Sequence, residues 1–380
     1  MTKNSKILLR FSIIILLLAC KSPEGSQNSS AGITNVKLEE PGIITGAEQL
    51  SSYLPVLSGK RVGLVVNQTS VVGSTHLVDT LLSIGVNIVK VFAPEHGFRG
   101  DHSAGATIRN AKDERTGLPI LSLYGRTKKP TPEMIKDLDI IVFDIQDVGV
   151  RFYTYISTMH YVMEAAAEHQ KEVLVLDRPN PNGFYVDGPV LYPAYQSFIG
   201  MHQIPVVHGC TIAELAKMVN GEGWLKGGVK CKLEVVACRN YKHSMIYELP
   251  IQPSPNLPNM NSIYLYPYLG LFEGTNVSIG RGTPTPFQIV GRPGYEGSIT
   301  FTPKSIPGVA DKPKYKDVEC GGEIVNDVQD SIIFKNPGLN LHWLLLMYQA
   351  NLDDNGPYFK SFFHKLCGTD QLQEQIENDW

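Results

Sequence analysis

The chain has 380 residues and 43% hydrophobic content, enough to bury a large core and to divide into two domains. Its net charge of −3 comes from interspersed acids and bases, which excludes a nucleic-acid footprint and an acidic tail. Thirty-five glycines and 25 prolines point to many ordered turns rather than to disorder.

Residues 1–20 read as a leader outside the fold. Lys3, Lys6 and Arg10 form a basic start, and Phe11–Leu18 is an apolar stretch too short to span a bilayer. The stretch ends in Leu17-Leu18-Ala19-Cys20, which resembles a bacterial lipobox, so Cys20 is expected to become a lipidated N-terminus. Several acyl chains hold a protein to a membrane where one does not. Residues 21–43 are rich in Ser, Asn, Gly and Glu without apolar periodicity, and read as a flexible tether. The expected location is therefore membrane-anchored, periplasmic or cell-surface. Five cysteines remain: Cys210, Cys231, Cys238, Cys320 and Cys367. With no C-x-x-C and no Cys/His cluster, no metal site is expected. A Cys231–Cys238 bridge is one option in an oxidising compartment, buried free thiols the other.

In chain order, Arg61–Asn67 reads as a buried strand and His76–Ile84 as a helix. Asn87–Phe92 is a second strand, ending before Pro94-Glu95-His96-Gly97, and Asp139–Asp144 a third. Thr154–His169 is a helix with Ile156, Met159, Met163 and Ala167 on one face, followed by the strand Glu172–Leu176. Thr211 and Glu214 form a capping box at the start of another helix. Alternating strands and helices predict an α/β fold with a parallel, doubly wound sheet.

In such a sheet the residues after each strand converge on one edge. Here they are Asn67, Glu95-His96, the group Asp144, Gln146, Asp147, Arg151 and Tyr153, and Asp177-Arg178. Asn67 is also a natural turn former. The first strand runs into V-V-N-Q-T-S, so no dinucleotide or P-loop fingerprint follows it, and no G-x-S-x-G elbow occurs. No cofactor is expected. The proline-dense Gln252–Pro258 suits a boundary, giving domains at 44–262 and 263–380. Beyond it, Glu273 follows an aromatic run, and Arg281 stands between Gly280 and Gly282, as expected of a backbone making a close approach.

Together these passages resemble the exo-β-N-acetylmuramidase (NamZ-type) glycoside hydrolases, formerly a bacterial domain of unknown function. The matching motifs are V-G-L-V-V-N-Q-T at Val62–Thr69, F-A-P-E-H-G-F-R-G at Phe92–Gly100, T-G-L-P-I-L-S-L-Y-G at Thr116–Gly125 and D-I-Q-D-V-G-V-R-F-Y-T-Y at Asp144–Tyr155. L-D-R-P-N-P at Leu176–Pro181, P-S-P-N at Pro253–Asn256 and L-F-E-G-T-N-V-S-I-G-R-G-T at Leu271–Thr283 follow. The resemblance implies a Rossmann-like N-terminal domain, a smaller mixed α/β C-terminal domain and an active-site cleft between them. It implies release of N-acetylmuramic acid from non-reducing ends of peptidoglycan glycan fragments, as in cell wall recycling. Two departures stand out: Gly291-Arg292-Pro293 where the family has G-A-P, and an end at Trp380 where relatives continue in a basic helix.

Glycoside hydrolysis needs a proton donor and usually a second carboxylate. Glu95 is the expected acid, placed where partial burial favours the protonated form. Asp147 or Asp144 is the expected second carboxylate, with Glu273 as the other choice. A 2-acetamido sugar also permits attack by its own acetamide oxygen. The lactyl carboxylate calls for a guanidinium, Arg281 or Arg151. His96, Gln146, Tyr153 and Asn276, with Asn67 at its strand end, are the expected contacts to sugar hydroxyls. The competing class is a non-catalytic lipoprotein that binds cell-wall sugars. Oligomeric state is not legible.

Overall fold

The computed structural model describes residues 42–94, 98–99, 111–328, 331–352 and 356–379. The expected leader with Cys20, the tether up to residue 41, and the expected site residues Glu95 and His96 lie outside the described residues.

Short β-branched runs become strands because a chain buried on both faces needs apolar side chains in both directions. Seven strands pair: β1 (Val62–Val66), β2 (Ile88–Ala93), β3 (Ala111–Lys112), β4 (Pro119–Ser122), β5 (Ile140–Asp144), β6 (Glu172–Leu176) and β7 (Lys232–Val236). Their order is β3-β4-β2-β1-β5-β6-β7, with every pairing parallel except β3 with β4. The central β1 and β5 are buried at every position.

Helices cover both faces. On one, Leu64, Val66 and Val142 pack with Tyr53 of α1 (Leu50–Leu57) and Leu77 and Leu81 of α2 (Leu77–Ser83). On the other, Val65, Phe143 and Val175 pack with Ile156 and Met159 of α3 (Tyr155–Glu168) and Leu215 of α4 (Ile212–Gly221). The capping box of α4 forms as expected: the Glu214 N–H donates to Thr211 Oγ1 at 3.3 Å and the Thr211 N–H to Glu214 Oε2 at 2.8 Å.

After the sheet, α5 (Met260–Leu269) starts at an Asn259–Ser262 capping box and tightens into a 3-10 turn at Gly270–Gly274. A small antiparallel sheet follows, with β8 (Ile289–Arg292) and β9 (Ile299–Phe301) flanking β10 (Cys320–Ile324). Helices α6 (His342–Gln349), α7 (Phe362–Cys367) and α8 (Gln371–Asp379) complete this smaller α/β part. Leu372 and Ile376 dock α8 into its core. That core also takes in Val148, Val150 and Phe152 from the loop after β5. Gly274 meets α7 so closely that a Cβ there would lie 2.4 Å from Phe363 Cα.

Arg151, expected at the sugar, is instead a fastener. Its guanidinium has no exposed surface and donates to four carbonyls: Pro189 and Ile204 at 2.6 Å, Leu366 at 2.9 Å and Cys367 at 2.6 Å. Burial pulls its pKa down to about 10. Gly368, in a left-handed conformation at φ 79°, ends α7 beneath it, where a Cβ would lie 2.6 Å from Nη2. The residue therefore ties the end of α7 to the loops beyond β5 and β6.

Arg151→Met keeps much of the stem but leaves four carbonyls without their donor. It is expected to cost at least about 3 kcal/mol in urea denaturation, since each buried unsatisfied polar group costs about 1–3 kcal/mol. A loss below about 1 kcal/mol would contradict this role.

Candidate functional site

The chain leaves β1 for β2 on one side and returns to β5 on the other. The ends of β1 and β5 therefore form the switch point where open α/β sheets hold ligands. Here the protein fills that crevice itself. Asp144, with no exposed surface, accepts two bonds from the Arg178 guanidinium, from Nε at 2.6 Å and from Nη2 at 2.8 Å. Burial opposes the charge on Arg178, but the Asp144 carboxylate outweighs it and raises the pKa. The Ser70 hydroxyl donates to the Asp144 carbonyl, and the Gln146 N–H donates to Thr69 Oγ1 at 3.0 Å.

This corrects several expectations. Asp144 is a structural anion, its charge already matched. Gln146 turns inward, its side-chain nitrogen donating to the carbonyls of Asp147 at 2.8 Å and Pro179 at 2.7 Å. Asn67 is a turn former whose Oδ1 accepts from the Thr69 N–H at 2.9 Å. Asp147 is 4% exposed, accepts from the Gly149 N–H at 2.7 Å and lies 3.6 Å from His208 Nε2. Asp177 sits at the start of α4, accepting from the Ala213 N–H at 3.0 Å, and burial raises its pKa. Among the described residues, Asp144, Gln146 and Asn67 thus spend their side chains on the protein's own platform.

Among the described residues, one cavity of about 370 Å³ opens beside the turn after β1, lined by Gln68, Val71, His76 and Arg99, and two more lie between this platform and the smaller α/β part. One of these two, of about 200 Å³, is walled by Tyr153 and Tyr155 at the start of α3, by Ser254 and Asn256, and by Tyr266, Glu273 and Arg281. The other, of about 560 Å³, is in the size range of ligand sites and runs from Tyr124, just after β4, to Lys312, Lys314 and Lys360. Glu273 and Arg281 line both. Arg281 joins the two walls: Nη1 donates to Glu273 Oε1 at 2.7 Å and Nε to Asn256 Oδ1 at 3.3 Å. Both flanking glycines have positive φ, 73° and 84°, and a Cβ on Gly282 would lie 2.4 Å from the Lys304 carbonyl oxygen. The close approach expected at this motif is made to the protein's own backbone, and it sets the turn that aims Arg281.

Tyr153 keeps its place in the cleft, its hydroxyl donating to the Pro253 carbonyl at 2.9 Å. Asn276 does not. Its Nδ2 donates to Asn351 Oδ1 at 2.6 Å and its carbonyl accepts from Tyr315, so it anchors the loop behind Glu273. Of the aromatic run, Tyr264, Tyr268 and Phe272 are core, while Tyr266 reaches the smaller cavity. Arg99 has all three guanidinium nitrogens on Asp79 and Asp113, at 2.9–3.0 Å, which holds the Asp113 carboxyl down at about 2. Arg292, where the family pattern has Ala, lies on β8 with Nη2 donating to the Ala350 carbonyl at 2.7 Å, outside the walls of either cavity.

Tyr124, Ser254, Asn256 and Lys314 were not singled out from the sequence as site residues. Tyr124 carries the signal of a strand end, and Ser254 and Asn256 lie within the proline-dense boundary Gln252–Pro258. The five cysteines are free thiols; burial pushes Cys231 up to about 12 and raises Cys238 as well. Among the described residues, no cluster of three or more His, Cys, Asp or Glu is placed to hold a metal ion.

Asp144→Ala strands a buried guanidinium and is expected to cost about 3–5 kcal/mol. Glu273→Gln removes a half-exposed pair and should cost less than about 1 kcal/mol. Equilibrium denaturation of both variants checks the contrast.

Family models described as exo-β-N-acetylmuramidase NamZ, N-terminal and C-terminal, match residues 62–261 and 264–380. The chain is 40% identical to the peptidoglycan β-N-acetylmuramidase NamZ of Bacillus subtilis (strain 168), over 92% of this chain and 88% of that protein. Two crystal structures of DUF1343 family proteins from Bacteroides fragilis NCTC 9343 are similar. One is 47% identical, covers 89% of this chain and 92% of that one, and has a TM-score of 0.82. The other is 34% identical, covers 88% and 91%, and has a TM-score of 0.72.

Proposed function

The chain belongs to the exo-β-N-acetylmuramidase NamZ family, and we propose that it works through the cleft joined by Glu273 and Arg281. It is an exo-acting glycoside hydrolase that releases N-acetylmuramic acid from non-reducing ends of peptidoglycan glycan fragments. The observation that carries the site is that one carboxylate–guanidinium pair lines both cavities.

Glu273 accepts from Arg281 and so acts as the anion of the pair, which suits a base, a nucleophile or a group orienting the acetamide. Glu95, assigned from sequence, is the proton donor. Arg281 Nη2, without a partner among the described residues, receives the lactyl carboxylate. Lys312 and Lys360 add positive charge to the larger cavity, which favours anionic glycans. Tyr153, Tyr155 and Tyr266 supply the apolar faces against which a pyranose packs.

The domains divide at 262/263, with Gln252–Pro258 as a wall of the cleft. We assign residues 1–20 as a lipoprotein leader, Cys20 as the lipid anchor and residues 21–43 as a tether, which places the enzyme at the membrane, outside the cytoplasm. The basic start, the short apolar stretch and the Leu-Ala-Cys junction support that reading. Cys20→Ala should move the protein from the membrane pellet to the soluble fraction; an unchanged distribution would overturn the anchor.

Glu273→Gln and Glu95→Gln should each fold and lose at least about 100-fold in N-acetylmuramic acid release, the scale of acid–base contributions. Turnover near wild type in the Glu273 variant would remove this site. Arg281→Ala should raise KM for muramic substrates at least about tenfold more than for N-acetylglucosamine analogues, the effect of one lost charge-assisted contact. Equal losses would remove lactyl recognition.

A further inference from the structure

Lys314 lies in the wall of the larger cavity, yet its ammonium does not face it as a free cation. Nζ donates to three backbone carbonyls, those of Phe272 at 3.2 Å and of Thr275 and Val277 at 2.7 Å. These carbonyls bracket Glu273 on both sides. The neighbouring Tyr315, at φ 58°, donates its hydroxyl to the Asn276 carbonyl, and the Lys360 N–H donates to the Gly274 carbonyl at 2.8 Å. The loop carrying Glu273 is thus wrapped around one side chain that enters from a distant part of the chain.

We propose that Lys314 is a positioning residue for the glycosidase reaction, its ammonium holding the Phe272–Val277 loop so that Glu273 is aimed at the substrate. This rests on the assignment of Glu273 to the active site. The stoichiometry is specific, because an ammonium has three N–H donors for three carbonyls while a neutral amine has two and a lone pair. Deprotonation therefore sets a lone pair against a carbonyl and loosens the loop. Burial lowers the Lys314 pKa to about 7; the Lys360 charge adds to the fall and Glu273 opposes it. Lys312, Asp311 and Arg281 are the other charged groups of the same cavity. The three carbonyl dipoles favour the ammonium, so the loss of the loop's hold falls at or above neutral pH.

The test uses a 2,4-dinitrophenyl N-acetyl-β-muraminide, whose leaving group needs no proton, so the limb due to the general acid disappears from the profile. For the wild type, kcat should fall on the alkaline side while KM stays flat. Lys314→Met should lower kcat about 100-fold, the cost of a misplaced catalytic group, with KM within about threefold. Lys314→Arg, which stays charged, should recover part of kcat and show no alkaline fall below about pH 9. A folded Lys314→Met enzyme with near-normal kcat overturns the proposal, as does a Lys314→Arg profile with the wild-type alkaline limb. If the Met variant does not fold, the Arg profile decides. Glu273→Gln is assayed in parallel. If it is inactive while Lys314→Met is normal, only the positioning role fails; if it is fully active, the site assignment fails and takes the positioning role with it.

Discussion

A carboxylate buried against its own guanidinium fills the switch point of the sheet and shapes everything built on that edge. Asp144 ends β5, next to the central strand of the sheet and at the switch point, and Arg178 closes on it with two bonds. Unpaired, either charge would be prohibitive to bury; paired, they form a dry plug that no ligand displaces cheaply. Ser70 and Thr69 complete the plug from the turn after β1. The crevice at the ends of β1 and β5 is therefore occupied by the protein's own side chains.

With the crevice filled, the edge of the sheet becomes a platform, and the proposed site lies outward, where a second layer meets it. That layer contributes Glu273 and Arg281, and the platform contributes Tyr124, Tyr153 and Asn256. Two cations have opposite tasks in this arrangement. Arg281 is half-exposed, joins the walls and keeps contact with both cavities. Arg151 is buried, faces only carbonyls and keeps the end of α7 in place behind the 3-10 turn that carries Glu273.

The fold was legible because its signals are local. A strand buried on both faces is a short β-branched run, and the expected strands lie within a residue or two of β1, β2, β5 and β6. The strand β7 was not legible: K-L-E-V-V alternates and is only partly buried at the sheet edge. The proposed site was legible in part. Arg281 announced itself through its two glycines and Glu273 through the aromatic run before it. Asp144, Gln146 and Arg151 looked like site residues because polar groups crowd one strand end. Their partners are tertiary, though: Arg178 lies 34 residues from Asp144, and the Leu366 carbonyl lies 215 residues from Arg151. No spacing rule reveals whether a charge at a strand end faces a ligand or another part of its own chain.

The most direct test is the crystal structure of the Glu273→Gln variant with N-acetylmuramic acid bound. A pyranose is expected in the smaller cavity, in contact with position 273, with its lactyl carboxylate on Arg281. A sugar seated at the ends of β1 and β5, on Asp144 or Asp147 with position 273 untouched, would contradict it.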